Sequence, residues 1–141
     1  MTEFTKKHVA MLALLGALAI VVTSLVFIGT QVEQAYTMDM TVKVQQGVTG
    51  FDLNTSVVTF GKLKPGQQMD RYFEVNNTGT RPVTVYVRTS GQLASWVRVN
   101  PRVFDVTPEQ KTGKFTASIV IPSNADVGNY TGKLLVLVMR Q

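Results

Sequence analysis

"NNTGTRPVTVYV", residues 76 to 87, holds the reading that decides the fold. A cluster of Asn, Thr and Gly runs into Pro82, and then Val83, Val85 and Val87 alternate with Thr84 and Tyr86. Alternation with period two marks a strand with one buried face, and the Asn/Gly/Pro cluster before it marks a chain reversal. In that reversal Asn and Gly are expected to take positive φ, and Pro82 to start the next strand where its missing N–H does least harm.

The same grammar extends in both directions. Met40, Val42 and Val44 alternate with Thr41 and Lys43; Phe73 and Val75 with Tyr72 and Glu74; Phe115, Ala117, Ile119 and Ile121 with the residues between them. Turn signals separate these runs: "KPGQ" (64 to 67), "TSGQ" (89 to 92), "VNPR", "VTPEQKTG" and "PSNADVGN". About seven short strands in roughly 100 residues predict an all-β, immunoglobulin-like antiparallel sandwich.

Upstream the grammar changes. Residues 9–29, "VAMLALLGALAIVVTSLVFIG", are 21 positions without a charge. At helical rise they cover roughly 30 Å, the hydrocarbon thickness of a bilayer. The run is longer than the apolar core of a secretory signal, and "TQVEQAY" after it is a poor cleavage site. It therefore reads as an uncleaved transmembrane helix. Lys6 and Lys7 precede it while Glu33 and Asp39 follow, which places the amino terminus in the cytoplasm and the bulk of the chain outside. The expected organisation is a cytoplasmic tail (1–8), a transmembrane helix (9–29), a polar connector (30–38) and an extracytoplasmic sandwich (39–141). Ala13 and Ala17 form a small-xxx-small pair, candidates for close helix packing.

Composition narrows the function. The chain has no cysteine, so disulfides and thiolate metal sites are excluded. Its formal charge is +5, but the 14 basic residues are scattered without a helical stripe or an aromatic ladder, which argues against nucleic acid. The lone histidine, His8, lies at the membrane boundary, and no nucleophile motif or phosphate-cradling loop occurs. A non-catalytic protein without a cofactor is expected. "PSNADVGNY" offers Asn124 and Asp126 but lacks the carboxylate count of a calcium loop, so it reads as a turn. Trp96, the single tryptophan, is expected to pack in the core.

Two features point to interaction. "LLVLVM" (134 to 139) is apolar at both parities, so one face can serve the core while Leu135, Leu137 and Met139, or their alternates, need a second cover. Read as an edge strand, it offers these three residues as contacts for a partner strand. Sequons at Asn54, Asn76 and Asn129 fall in turns and are candidate N-glycosylation sites on an outer domain. The partners expected are membrane lipid and either another protein or a second copy of the chain.

The succession "LKPGQ", "FEVNNTGTRPVTVYV", "SWVRVNP", "FDVTP" and "FTASIVIPSNADVGNYTGKLLVLV" resembles the immunoglobulin-like NEW3-type modules of archaeal and bacterial surface proteins, over about residues 57–139. The resemblance implies a sandwich with a binding, spacing or assembly role and no catalytic residues. The arrangement of apolar helix and sandwich also resembles archaeal type IV pilins and archaellins, although "KKHVAM" lacks their processing pair of a basic residue and Gly or Ala. An accessory or stator subunit of a membrane complex is the other architecture that combines these parts.

Overall fold

The computed structural model describes residues 2–44, 46 and 57–141, with side chains from residue 7 onward. The chain divides into two compact units, residues 1–32 and 33–141.

The first unit is one helix, α1 (Thr2–Gln31). Lys7–Gln31 is long and apolar enough to cross a membrane, and Val9, Leu14, Ile20 and Phe27 are among its exposed apolar side chains. The hydroxyls described on it are satisfied internally: Thr23 Oγ1 donates to the Ala19 carbonyl, Ser24 Oγ to Ile20 and Thr30 Oγ1 to Phe27, each at 2.8 Å. A helix whose hydroxyls and backbone bond within themselves leaves little polar surface for hydrocarbon to desolvate.

The second unit is the expected all-β sandwich, with eight strands where about seven were expected. They are β1 (Val32–Val44), β2 (Val57–Leu63), β3 (Gln68–Asn76), β4 (Val83–Gly91), β5 (Val97–Asn100), β6 (Val103–Val106), β7 (Thr112–Val120) and β8 (Gly128–Arg140). One sheet has the order β2-β1-β8-β4-β6 and the other β3-β7-β5.

The alternation in the sequence identifies the buried faces. Met40, Val42 and Val44 on β1, Val83, Val85 and Val87 on β4, and Phe115, Ala117 and Ile119 on β7 all point into the core. Phe60, Leu134 and Leu93, each 0% exposed, complete it. Phe73 and Phe115, opposite one another on β3 and β7, stack with 4.9 Å between centroids, and Phe104 on β6 of the other sheet lies 6.2 Å from Phe115. Such pairs add about 0.5–1.5 kcal/mol beyond their buried area.

Three expectations are corrected. The polar connector at 30–38 is not a connector: α1 runs to Gln31 and β1 starts at Val32. Only from Asp39 onward does β1 have β2 beside it, so the half that reads as polar and irregular is an exposed stretch of strand whose sheet neighbour is β8 alone. The sandwich is also not wholly antiparallel, because β1 and β2 pair parallel, with a bulge where Thr41↔Thr59 gives way to Lys43↔Lys62. Finally, "NNTGTRP" links two strands as expected, carrying the chain from β3 across to β4 in the other sheet, but without the positive φ expected of it.

No residue of that crossover takes positive φ; Asn77 builds it with its side chain instead. Asn77 Nδ2 donates to the carbonyls of Arg81 (2.8 Å) and Val106 (3.0 Å), and its Oδ1 accepts from the Gly79 N–H (3.0 Å). Its own N–H donates to Lys111 O at 2.7 Å. Asn77→Asp turns the amide donor into an acceptor facing two carbonyls, and the expected cost is about 1–3 kcal/mol, read as a lower urea midpoint. The turn "KPGQ" does follow its expectation: Gly66 has φ 81° after Pro65, and Gln67 N–H donates to Lys64 O at 3.1 Å.

Gly113 shows why one sheet lies so close to the other. A Cβ there would stand 2.5 Å from both Phe104 Cε2 and Val106 Cγ2, so the Phe104 ring rests on bare backbone. Gly113→Ala should cost about 1–3 kcal/mol by overpacking, and pairing it with Phe104→Ala should recover part of that loss in a double-mutant cycle.

In the turn after β6, the Glu109 carboxylate is held below its ordinary range by its backbone N–H and then by the Thr107 hydroxyl. Thr107 Oγ1 also accepts from the Gln110 N–H at 3.3 Å. A depressed carboxylate stabilises above its unfolded pKa and loses that contribution as pH falls through the folded value. Acidification should therefore loosen this exposed turn, seen as faster amide exchange at Gln110 with the strands unaffected.

Candidate interaction surface

The last strand lies elsewhere in the sheet than expected. β8 is not an edge; it sits between β1 and β4 and is registered with β4 over nine pairs, from Val83↔Arg140 to Gly91↔Gly132. Leu135, Leu137 and Met139 therefore cannot pair with a partner's strand. Their backbone is already inside a ladder, and a period-two reading of β8 alone does not reveal which distant strands flank it.

The double apolarity has another consequence. Leu134, Val136 and Val138 fill the core, while Leu135, Leu137 and Met139 stand half-buried on the outer face of the five-stranded sheet. Register brings neighbours to them: Leu137 lies opposite Tyr86, Tyr86 opposite Val103 on β6, and Met139 opposite Thr84. Val103 is 53% exposed. The result is a short apolar row, Leu137–Tyr86–Val103, flanked by Leu135 and Met139, with no other described strand of the sandwich covering it. Tyr86 and Val103 were missed in the sequence because each is ordinary alone; the pairing of β4 with both β6 and β8 makes them a patch.

Charge separates this face from the opposite one. On the three-stranded sheet Lys114 Nζ bonds Glu74 Oε1 at 3.0 Å, and Asp70 and Arg98 both register with Ser118 between them. On the five-stranded sheet exposed Lys43 and Lys62 lie directly opposite one another. Like charges opposed across strands are unfavourable by a few tenths of a kcal/mol, roughly, so this flank is receptive to anions.

A second opening lies between the sheets, a cleft of about 330 Å³ lined by Gln34, Tyr36, Met38, Phe73, Glu74, Val75, Asn76, Phe115 and Val136. It follows the stretch of β1 that β2 does not reach.

The remaining candidate residues are dispersed. Ala13 and Ala17 lie one turn apart on α1, both exposed. Asn76 ends β3, its Oδ1 accepting from Thr112 Oγ1 at 3.0 Å; Asn129 is exposed near the start of β8; Asn54 falls outside the described residues. Trp96 packs half-buried against Tyr130, 4.6 Å between ring centroids, at the end of a 3-10 turn (Gln92–Ser95). The "PSNADVGNY" segment closes as a turn, with Ala125 N–H donating to Pro122 O at 3.1 Å and the Tyr130 hydroxyl to Asp126 O at 2.9 Å. Among the described residues no three His, Asp or Glu side chains gather in a metal-binding group.

No protein-family model and no curated protein matches the chain. A solved structure described as the DaaE adhesin aligns over 74% of this chain and 97% of its own length, at 15% identity and a TM-score of 0.39. That similarity is too low to add to what the strands themselves show.

Proposed function

We propose that the chain is a non-catalytic interaction or assembly module, held at a membrane by α1, whose contact surface is the outer face of the five-stranded sheet. The observation that carries this reading is the uncovered row of Leu137, Tyr86 and Val103 with Leu135 and Met139 beside it. Apolar side chains set side by side on a sheet face are what a partner's surface covers. In this reading the amino terminus is cytoplasmic, the sandwich extracytoplasmic, and the NEW3-type resemblance describes the module. Protease added to intact cells should remove the sandwich and leave the helix. A sandwich protected in cells and cleaved only in inverted vesicles would overturn the topology.

One observation favours a narrower form. With β1 following α1 without an intervening residue, the chain has the helix-then-strand order of a filament subunit or of an accessory subunit whose helix packs on others, through Ala13 and Ala17. Sequencing the mature amino terminus separates these: a start at Met1 or Thr2 supports the accessory subunit, and a start near Val9 the filament.

A further inference from the structure

Beside the apolar row, β4 loses its neighbour. β6 pairs with Val83–Tyr86 and no further; Val87 N–H then donates to Arg102 O at 2.8 Å, and from Arg88 to Gly91 β4 has β8 on one side and no strand on the other. A pocket of about 480 Å³ opens there, lined by Tyr86, Val87, Arg88, Thr89, Val99, Arg102 and Val103. Two arginines line it and no carboxylate does. The ion pairs among the described residues are Lys114–Glu74 and Arg140–Glu33, so neither Arg88 nor Arg102 has one, nor does either guanidinium hold a side-chain hydrogen bond. The Tyr86 and Thr89 hydroxyls are likewise without a partner in the protein.

We propose that this edge binds an extended acidic peptide segment of a partner protein, which adds to β4 beyond the end of β6 and places its carboxylates on Arg88 and Arg102. An exposed sheet edge supplies main-chain hydrogen bonds to an extended peptide, and pockets for alternate side chains set its specificity. Guanidinium is suited to bidentate carboxylate recognition, and two arginines in a lining that holds no carboxylate turn away a basic segment. Tyr86 and Val103 belong both to this pocket and to the apolar row, so apolar side chains of the same segment meet a continuous surface. A second copy of the chain fits poorly, because it would bring the same unpaired cations against themselves.

This inference rests on the interaction-module reading and names the partner's chemistry. The test uses the full chain in mild detergent and a fluorescein-labelled decapeptide of alternating Glu and Val, followed by anisotropy. Binding should weaken by about fivefold in Arg88→Gln and again in Arg102→Gln, as expected of exposed charge pairs, and fall with salt. Arg98→Gln, on the other sheet, should leave it unchanged, and the Lys-Val counterpart peptide should not bind. Binding that Arg98→Gln weakens as much as Arg88→Gln would overturn the site. Displacement of the peptide by inorganic phosphate at equal concentration would make it a simple oxyanion site and overturn the peptide assignment. If the Arg88→Gln/Arg102→Gln double variant still co-extracts its usual partners from membranes, this pocket is wrong while the module reading stands.

Discussion

Replacing Gly132 with valine should destabilise the sandwich by about 3 kcal/mol, near the upper end of overpacking costs, and lower its Tm by about 15 °C. The argument is steric and local. A Cβ on Gly132 would lie 2.8 Å from the Ser90 carbonyl oxygen, 3.0 Å from Leu93 Cβ and 3.1 Å from Met40 Cε. The first of these is backbone, which cannot swing aside as a side chain does. Across the ladder Gly132 faces Gly91, where an added Cβ would lie 3.0 Å from the Gly132 Cα, so β4 and β8 meet here with no side chain on either. Relief would need β8 to move away from β4, and that strains the pairs that carry the outer apolar row. Because Trp96 is the single tryptophan and packs on Tyr130, its emission during urea unfolding reports the sandwich and not the helix. Gly132→Ala should give a smaller loss of the same sign.

Phe60→Ala should cost about 3–5 kcal/mol, the range for deleting a fully buried phenylalanine. Phe60 is 0% exposed and sits on β2, the outermost strand of its sheet, beside the bulge where β1 and β2 change register. The margin there is closed by Arg71, whose Nε donates to Thr59 O at 3.0 Å, tying β3 of one sheet to β2 of the other. An inward-pointing arginine also blunts the β3 edge against pairing with stray strands. Removing the Phe60 ring leaves a cavity under that tie, so the urea midpoint should fall with the slope unchanged. A loss below about 1 kcal/mol would mean that β2 packs less closely than described.

These two sites show what the sequence makes legible. The alternation of Met40/Val42/Val44, Val83/Val85/Val87 and Phe115/Ala117/Ile119 names the buried face of each strand, because the side-chain period of a strand is local. Pro65–Gly66 names its turn for the same reason. Strand order is not local. Nothing within "LLVLVM" says that its neighbours lie some 50 and some 100 residues upstream, roughly, and so β8 reads as an edge when it is central. The Asn77 staple is hidden likewise, since one of its acceptors, Val106 O, is brought to it by the fold. The apolar row was half visible: Leu135, Leu137 and Met139 were flagged by parity, and Tyr86 and Val103 joined them only through register.

The central claim is that this outer face is covered by a partner in the native membrane. Its most direct test compares the wild-type chain with the Leu135→Ser/Leu137→Ser double variant, each extracted from its own membranes in mild detergent, by native mass and subunit composition. Both residues are half-buried and outside the core cluster, so the variant should retain the wild-type Trp96 emission and unfold within a few degrees of it. The account predicts a defined assembly for the wild type and its loss in the variant. A wild-type chain that extracts alone, or a folded variant that keeps every subunit, would contradict it.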